Sequence, residues 1–241
     1  MTMVSFCNTF YRGDRMAGDI GLVGGEEFRV GCEEMDREIM RVSGQQPAQV
    51  LVLPTAAVTG PAKAANDGVA HFGGLGGDAR QLMVLDRTQS LDPEYISAVG
   101  GAGVVYFTGG NPDHLLASLK DSPLLTAILK TVEQGTVLAG SSAGAMVLGS
   151  YMRRSGGWIE ALGVVPGVAV MAHHENRDPA ETSREIQTQA PSGLTVLGVD
   201  ARTGCLGKPG NWRVVGSGKV TVYQGSEWAV YQSGDTLPSD V

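Results

Sequence analysis

The feature of this chain that most constrains its fold is the alternation of short apolar runs with segments of helical periodicity. Such alternation is typical of βαβ units, in which parallel strands are connected by helices that pack on the sheet. We therefore predict one α/β domain over residues 1–241, a three-layer α/β/α sandwich with a mainly parallel sheet and a peripheral extension over residues 1–17. The tail from Trp212 to Tyr231 alternates as β-hairpins do and is predicted to form a hairpin at the sheet edge. The predicted strands span residues 20–25, 49–57, 81–86, 103–110, 136–142, 168–174 and 194–200, and the main predicted helices begin near residues 26, 61, 91, 112, 143 and 178.

The composition argues against several classes of protein. A net charge of −7 disfavours a nucleic-acid binder, which normally carries a basic surface. The three cysteines, Cys7, Cys32 and Cys205, are scattered and match neither a disulfide framework nor a zinc-ligand pattern. The first residues lack the apolar stretch of a secretory signal, and no run approaches the roughly 18 apolar residues of a membrane helix. We expect a cytoplasmic protein with no metal, no cofactor and neither nucleic acid nor membrane as a partner.

The ends of the predicted strands show where chemistry is expected, because ligands bind beyond the carboxyl ends of parallel strands in open α/β sheets. Four such ends stand out: Gly24–Gly25, Pro54–Thr55, Gly109–Asn111 and Ser141–Ala145. The last contains the spacing Gly140-x-Ser142-x-Gly144 between a strand and a helical pattern, which is the spacing of a nucleophile elbow. Ser142 is therefore the candidate nucleophile, and an ordinary glycine-rich turn is the alternative reading.

A serine nucleophile needs a base, and histidine is the usual one. The chain has four histidines: His71, His114, His173 and His174. His71 and His114 are expected near helix ends at the surface. His173 and His174 end a predicted strand, where successive side chains point to opposite faces, so only one of them is expected to face the site.

Taken together, these segments resemble the dipeptidase E and cyanophycinase group of serine peptidases, whose fold is related to that of the class I glutamine amidotransferases. The likeness runs nearly end to end, and its most specific part is the sequence Ser142-Ala143-Gly144-Ala145. The other matching segments are Gly24–Glu26, Leu51–Ala56, Phe107–Asn111, Leu162–Val168 leading into His173, and Leu197–Asp200.

The resemblance implies a glutamine-amidotransferase-like fold and an acyl-transfer mechanism. Ser142 would attack the scissile carbonyl, and the position of the histidine-bearing segment favours His173 over His174 as its base. The backbone amides of Gly110 and Ala143 would form the oxyanion hole.

Two further residues are candidates for substrate binding. Asn111 belongs to the oxyanion-hole loop of the resemblance, and it is also a good helix cap. Arg177 follows the catalytic histidine and carries a guanidinium suited to carboxylates, although a surface position is the alternative reading.

The acid that would orient the histidine is the point where this sequence departs from the family. The family's acid lies between nucleophile and histidine, and in this chain that stretch is short and holds one carboxylate, Glu160. Glu160 is therefore the candidate third catalytic residue. The alternatives are Glu175, Asp178 and Asp200.

We expect an enzyme, a serine-type exopeptidase or dipeptidase that hydrolyses short peptides. A cyanophycinase-like hydrolase of aspartyl–arginine linkages is the second reading. A catalytically silent binding module of the same fold is the third, because the short segment before Glu160 leaves the acid in doubt. The partner is a short peptide substrate, and a homodimer is compatible with the sequence.

Overall fold

The computed structural model describes residues 16–241. Most of the predicted extension over residues 1–17, with Cys7, therefore lies outside the described residues. Met16, at its end, is buried against the main apolar core. No helix in residues 16–241 is long and apolar enough to cross a membrane.

Thirteen strands and seven α-helices make up the described part of the chain. The strands are β1 (Ile20–Val23), β2 (Gln49–Leu53), β3 (Asp78–Gln81), β4 (Val104–Phe107), β5 (Val137–Ser141), β6 (Gly149–Arg154), β7 (Gly157–Glu160), β8 (Val165–Ala172), β9 (Thr195–Val199), β10 (Thr203–Lys208), β11 (Asn211–Gly216), β12 (Lys219–Gln224) and β13 (Glu227–Gln232). The helices are α1 (Glu33–Val42), α2 (Pro61–Gly74), α3 (Pro93–Ser97), α4 (Pro112–Leu119), α5 (Pro123–Glu133), α6 (Ala143–Leu148) and α7 (Pro179–Gln189).

The strands form two sheets. The first has the order β11-β10-β1-β5-β4-β2-β3. Its five strands β1, β5, β4, β2 and β3 run parallel to one another. The second has the order β13-β12-β9-β8-β6-β7, with β6, β8 and β9 parallel and hairpins at both ends. The α/β class and the C-terminal hairpin are thus confirmed, with the strands divided between two sheets.

Burial on both faces explains why the central strands of the first sheet have nearly continuous apolar sequences. β1, β4 and β5 are fully buried, and β2 is buried after its first residue. Helices α1 and α2 cover one face of this sheet, with side chains such as Ile39 and Phe72 in the interface. The opposite face shares one large core with helices α3 to α6 and with the inner face of the second sheet. Helix α7 packs on the outer face of the second sheet through Ile186.

Some boundaries differ from the predicted ones for identifiable reasons. Residues 27–31 form turns and a bend, and α1 begins only at Glu33. The helix after the elbow ends at Leu148, where the backbone becomes extended at Gly149. Gly149 packs so closely on β8 that a Cβ there would lie 2.6 Å from the Val168 carbonyl oxygen. The chain then turns into the β6–β7 hairpin, which the helical pattern concealed. Strand β10 was also not predicted, since its sequence TGCLGK has two glycines and little β-branched content.

Candidate active site

A cleft of about 270 Å³ lies at the carboxyl ends of β1, β4 and β5. Its position follows the rule for parallel sheets, and two of the four predicted strand ends, Gly109–Asn111 and Ser141–Ala145, supply residues of its lining. The cleft is lined by the residues that follow β1 and β4, by the elbow, by one histidine and by two residues of α2: Glu26, Glu27, Phe28, Arg29, Gly109, Gly110, Ser142, His173, Ala64 and Asp67.

Ser142 occupies a sharp turn between β5 and α6. Its backbone has φ 48° and ψ −109°, a strained conformation for a residue with a side chain. Close packing makes the two flanking glycines necessary. A Cβ on Gly140 would lie 2.4 Å from the Gly144 carbonyl carbon, and one on Gly144 would lie 2.5 Å from the Phe107 carbonyl oxygen. This is the geometry of a nucleophile elbow.

His173 faces Ser142 from the end of β8. Its Nε2 lies 3.2 Å from the Ser142 Oγ, within hydrogen-bond reach of a general base. The His173 amide donates a 2.9 Å hydrogen bond to the Gly24 carbonyl. The imidazole lies directly on Gly25, where an added Cβ would be 2.2 to 2.9 Å from three ring atoms. Gly25 is therefore required by this close approach.

His174 points away from the cleft and is 3% exposed. Its Nε2 lies 2.9 Å from the Tyr223 hydroxyl, and its Nδ1 lies 4.0 Å from the Asp200 carboxylate. Burial, together with the charge of Arg177, lowers the pKa of His174 to about 4. His174 is thus a neutral, buried side chain at neutral pH, and it shares a hydrogen bond with the Tyr223 hydroxyl group.

The remaining histidines are also engaged elsewhere. His71, expected at the surface, instead pairs through Nε2 with the fully buried Asp36 at 2.8 Å. The His114 Nε2 lies 2.6 Å from the Leu85 carbonyl oxygen. Of the four histidines, only His173 lines the cleft.

The predicted oxyanion-hole residues flank Ser142. Gly110 has φ 136° and packs so closely that a Cβ would lie 2.1 Å from the Ala56 carbonyl oxygen. Ala143 is the first residue of α6, so its amide has no acceptor within that helix. Gly110 lines the same cleft as Ser142, and Ala143 directly follows the serine in the chain.

The structure does not bring Glu160, Asn111 or Arg177 to the Ser142–His173 pair. The Glu160 carboxylate is 74% exposed and lies 3.6 Å from the Lys120 ammonium group. The Asn111 side chain caps α4 by accepting hydrogen bonds from the amides of Asp113 and His114. Arg177 pairs with Glu185 at 3.7 Å.

Each of the three alternative acids has a backbone partner. Asp178 caps α7, and Asp200 accepts a hydrogen bond from the Lys219 amide. Glu175 accepts a 2.9 Å hydrogen bond from the Ala201 amide. Partial burial raises the pKa of Glu175, but hydrogen bonds from backbone amides and then the charges of His173 and His174 bring it below the usual value. Glu175 is therefore an ionised carboxylate, and it follows the two histidines directly in the chain.

Sequence reasoning missed two residues of this region. Glu27 accepts hydrogen bonds from the Gly109 amide and the Ser141 hydroxyl. Glu27 could have been noticed from the sequence, because it follows the end of β1 and is next to Glu26, which belongs to a segment that matches the family. Tyr223, the partner of His174, gave no signal, because the two residues are 49 positions apart in the sequence.

Backbone strain is concentrated around the cleft. Among the described residues, six other than glycine have positive φ: Glu26, Phe28, Asp121, Ser142, His173 and Arg202. Four of these, Glu26, Phe28, Ser142 and His173, line the cleft. Such residues cost about 1–3 kcal/mol each and cluster where function constrains the backbone. Within residues 16–241, no three His, Cys, Asp or Glu side chains are grouped so as to hold a metal ion.

Comparison with known proteins places this geometry in a family. The model of a family described as Peptidase family S51 matches residues 22–205, a range that contains the whole cleft. A cyanophycinase from Geminocystis herdmanii is 28% identical over 233 residues, which cover 91% of this chain and 85% of that protein. A peptidase E from Citrobacter koseri is 28% identical over 148 residues, which cover 58% of this chain and 63% of that protein.

A solved structure has the same fold. The crystal structure of a peptidase from an acI-B1 Actinobacterium superposes with a TM-score of 0.80 at 27% identity. The match covers 93% of this chain and 98% of the other. The two-sheet arrangement is therefore shared over nearly the full length of that peptidase.

The contact between Gly25 and His173 predicts a sensitive position. Gly25→Ala should displace the imidazole, because the new methyl group would overlap the ring. We expect labelling of Ser142 by a fluorophosphonate to slow at least about 10²-fold, since a misplacement of about 1 Å can cost that much. Gly73→Ala, which fills open space on α2, is the matched control and should label at the parent rate. Equal labelling of both variants would contradict this account of Gly25.

The buried His174 predicts a pH dependence of stability. The imidazole is protonated near pH 6.5 in the unfolded chain but only near pH 4 in the folded protein, so protons favour unfolding between these values. Stability should be full above about pH 6.5 and fall by roughly 3 kcal/mol as the pH drops to 4. His174→Gln keeps an acceptor for Tyr223 and should lose less stability over this range. Urea unfolding at pH 7 and pH 4.5 measures the difference, and parallel losses in both proteins would refute the assignment.

Proposed function

Because this chain belongs to peptidase family S51, we propose that it is a serine peptidase that hydrolyses short peptides, with Ser142 as nucleophile and His173 as general base. The observation that carries the proposal is the 3.2 Å contact between the Ser142 Oγ and the His173 Nε2 at a strained elbow. A serine held in such a turn, with an imidazole nitrogen as its base and two backbone amides to bind the oxyanion, can carry out acyl transfer.

In the first half of the reaction, the Ser142 Oγ attacks the carbonyl carbon of the scissile peptide bond while its proton moves to the His173 Nε2. The carbonyl π electrons move to oxygen and give a tetrahedral oxyanion. When they return, the carbon–nitrogen bond breaks, and the imidazolium gives its proton to the leaving amine. The products of this half are an amine and an ester between the acyl group and Ser142.

In the second half, water attacks the ester carbonyl, and His173 accepts a proton from that water. Collapse of the second tetrahedral intermediate returns the proton to the Ser142 Oγ and releases a carboxylic acid. The amides of Gly110 and Ala143 support both intermediates, and one such donor contributes about 3–4 kcal/mol to transition-state stabilisation.

For the acid, we propose a supporting role for Glu175 in place of Glu160. Glu160 is exposed and paired with Lys120, whereas Glu175 follows His173 by two residues, and the charge of that histidine helps to lower the pKa of Glu175. No ion pair within 4.0 Å joins His173 to a carboxylate in the described part of the chain. Glu175 would therefore stabilise the imidazolium through its field, without a direct hydrogen bond.

The substrate we propose is a short peptide, cleaved in exopeptidase or dipeptidase fashion. The cleft volume of about 270 Å³ is small, just below the range of roughly 300–1,000 Å³ for ligand sites, which supports a short substrate. A cyanophycinase-like activity on aspartyl–arginine linkages is the second candidate. It is favoured by the cyanophycinase relative, whose alignment covers 91% of this chain.

We propose the cytoplasm as the place of action. The thiols of Cys32 and Cys205 are free and buried, which suits a reducing compartment. Burial, with the charge of Asp36, raises the pKa of Cys32 to about 11, and burial raises that of Cys205 to about 12. Both cysteines therefore stay unreactive thiols at neutral pH.

The nucleophile and base are tested by Ser142→Ala and His173→Ala. Each should fold normally and lose turnover by about 10⁴-fold or more, since triad members act as a unit. Turnover is measured on a panel of short peptides with free or blocked ends, together with an aspartyl–arginine polymer, which also separates the two substrate classes. Fluorophosphonate labelling of the parent but not of Ser142→Ala distinguishes an enzyme from a catalytically silent module. Undiminished turnover by Ser142→Ala would exclude the mechanism.

The choice of acid is tested by two matched substitutions that each replace a carboxylate with an amide. Glu175→Gln should lower kcat by roughly 3- to 10-fold, because a charge acting through space contributes about 1 kcal/mol. Glu160→Gln should stay within about twofold of the parent, as expected for an exposed surface pair. A larger loss from Glu160→Gln than from Glu175→Gln would reverse the assignment.

A further inference from the structure

The Glu27 carboxylate bridges two segments of the candidate site. It lies in the turn after β1, and its Oε1 accepts a 2.7 Å hydrogen bond from the Gly109 amide after β4. Its Oε2 accepts a 2.8 Å hydrogen bond from the Ser141 hydroxyl at the end of β5. Ser141 is fully buried, whereas Glu27 is half-buried and lines the cleft. The proton transfers proposed above make no use of Glu27.

Both partners of Glu27 immediately precede residues of the proposed machinery. Gly109 precedes Gly110, which would supply one oxyanion donor, and Ser141 precedes the nucleophile Ser142. The two segments also approach closely, since a Cβ on Gly109 would lie 3.3 Å from the Ser142 Cβ and 2.8 Å from the Glu27 Oε1. Gly109 therefore has to be glycine for the bridge to form. The carboxylate determines the separation of the two segments across this gap.

Oxyanion stabilisation depends on that separation. Donor amides act when they lie about 2.7–3.1 Å from the developing oxyanion, and a shift of about 1 Å can cost 10²-fold in rate. Loops are held less firmly than strands, and the Gly109–Gly110 turn has no side chains to pack. A hydrogen-bonded clamp is the kind of support that such a turn needs.

On the basis of the proposed function, we propose that Glu27 is a positioning residue that holds the Gly109–Gly110 turn against the nucleophile elbow. Its role is geometric: the side chain must accept from Gly109 and hold Ser141, and its negative charge is dispensable. A glutamine can do both, because its oxygen accepts from the Gly109 amide while its NH2 group donates to the Ser141 hydroxyl oxygen.

The glutamine variant separates this role from two others that a cleft carboxylate could have. Glu27→Ala should lower kcat by about 10²-fold, comparable to the loss of one oxyanion donor, with KM within about threefold of the parent. Glu27→Gln should restore kcat to within about threefold of the parent. If the charge itself served catalysis, Glu27→Gln would be as damaged as Glu27→Ala. If Glu27 bound a substrate ammonium group, both variants would raise KM and leave kcat unchanged. Either result would overturn the proposal.

The bridge is tested independently of the substrate by the rate of fluorophosphonate labelling, whose phosphoryl oxygen occupies the position of the oxyanion. Glu27→Ala should label about 10²-fold more slowly than the parent, and Glu27→Gln at nearly the parent rate. Ser141→Ala should cause a smaller loss and add little to Glu27→Ala, because both remove the same bridge. Additive losses in the double variant would contradict the bridge.

Glu34→Ala is the matched control, since it removes an exposed carboxylate from the nearby first turn of α1 and should behave as the parent. Thermal unfolding of each variant separates a loss of fold from a loss of position. A parent protein that neither labels nor turns over any peptide would refute the proposed function. An active parent whose Glu27→Ala variant keeps its kcat would refute only the role of Glu27.

Discussion

Ser142 and His173 follow strands of different sheets, and the contact between them depends on how those sheets pack together. The nucleophile follows β5 of the first sheet, and the histidine follows β8 of the second. The hydrogen bond from the His173 amide to the Gly24 carbonyl connects the second sheet to the end of β1, the neighbour of β5. The large core that the two sheets share keeps this connection in register. The distance of 3.2 Å between the serine and histidine side chains therefore depends on the packing of the two sheets against each other.

The site is built mainly from positions where a side chain would not fit. Gly25 leaves room for the imidazole of His173, and Gly109 leaves room for the Glu27 carboxylate. Gly140 and Gly144 allow the close backbone packing of the nucleophile elbow. Backbone groups held this way need little reorganisation during reaction, which is the property that makes preorganised donors effective. The charged residues of the cleft then adjust a geometry that the backbone has already defined.

The sequence was informative where function depends on local geometry. The elbow could be predicted, because a strand, a tight turn and a helix lie within a few residues around Ser142. Contacts between distant segments could not be predicted in the same way. Glu160 was the plausible acid by position in the chain, yet β7 carries it to Lys120. Glu27 was passed over because its partners are 82 and 114 residues away. The division into two sheets was missed for the same reason, since apolar runs reveal strands but not their neighbours.

The strain around the cleft limits how this protein can change. Four residues with unfavourable backbone conformations, at about 1–3 kcal/mol each, represent a sizeable part of the roughly 5–15 kcal/mol by which a domain is usually stable. Relaxing any of them would make the fold more robust and dismantle the constellation that they create. Substitutions that stabilise this chain without loss of the site are therefore expected at positions remote from the cleft. Conversely, a substitution that slightly destabilises the distant core is expected to disorder the backbone around Ser142 before the whole domain unfolds.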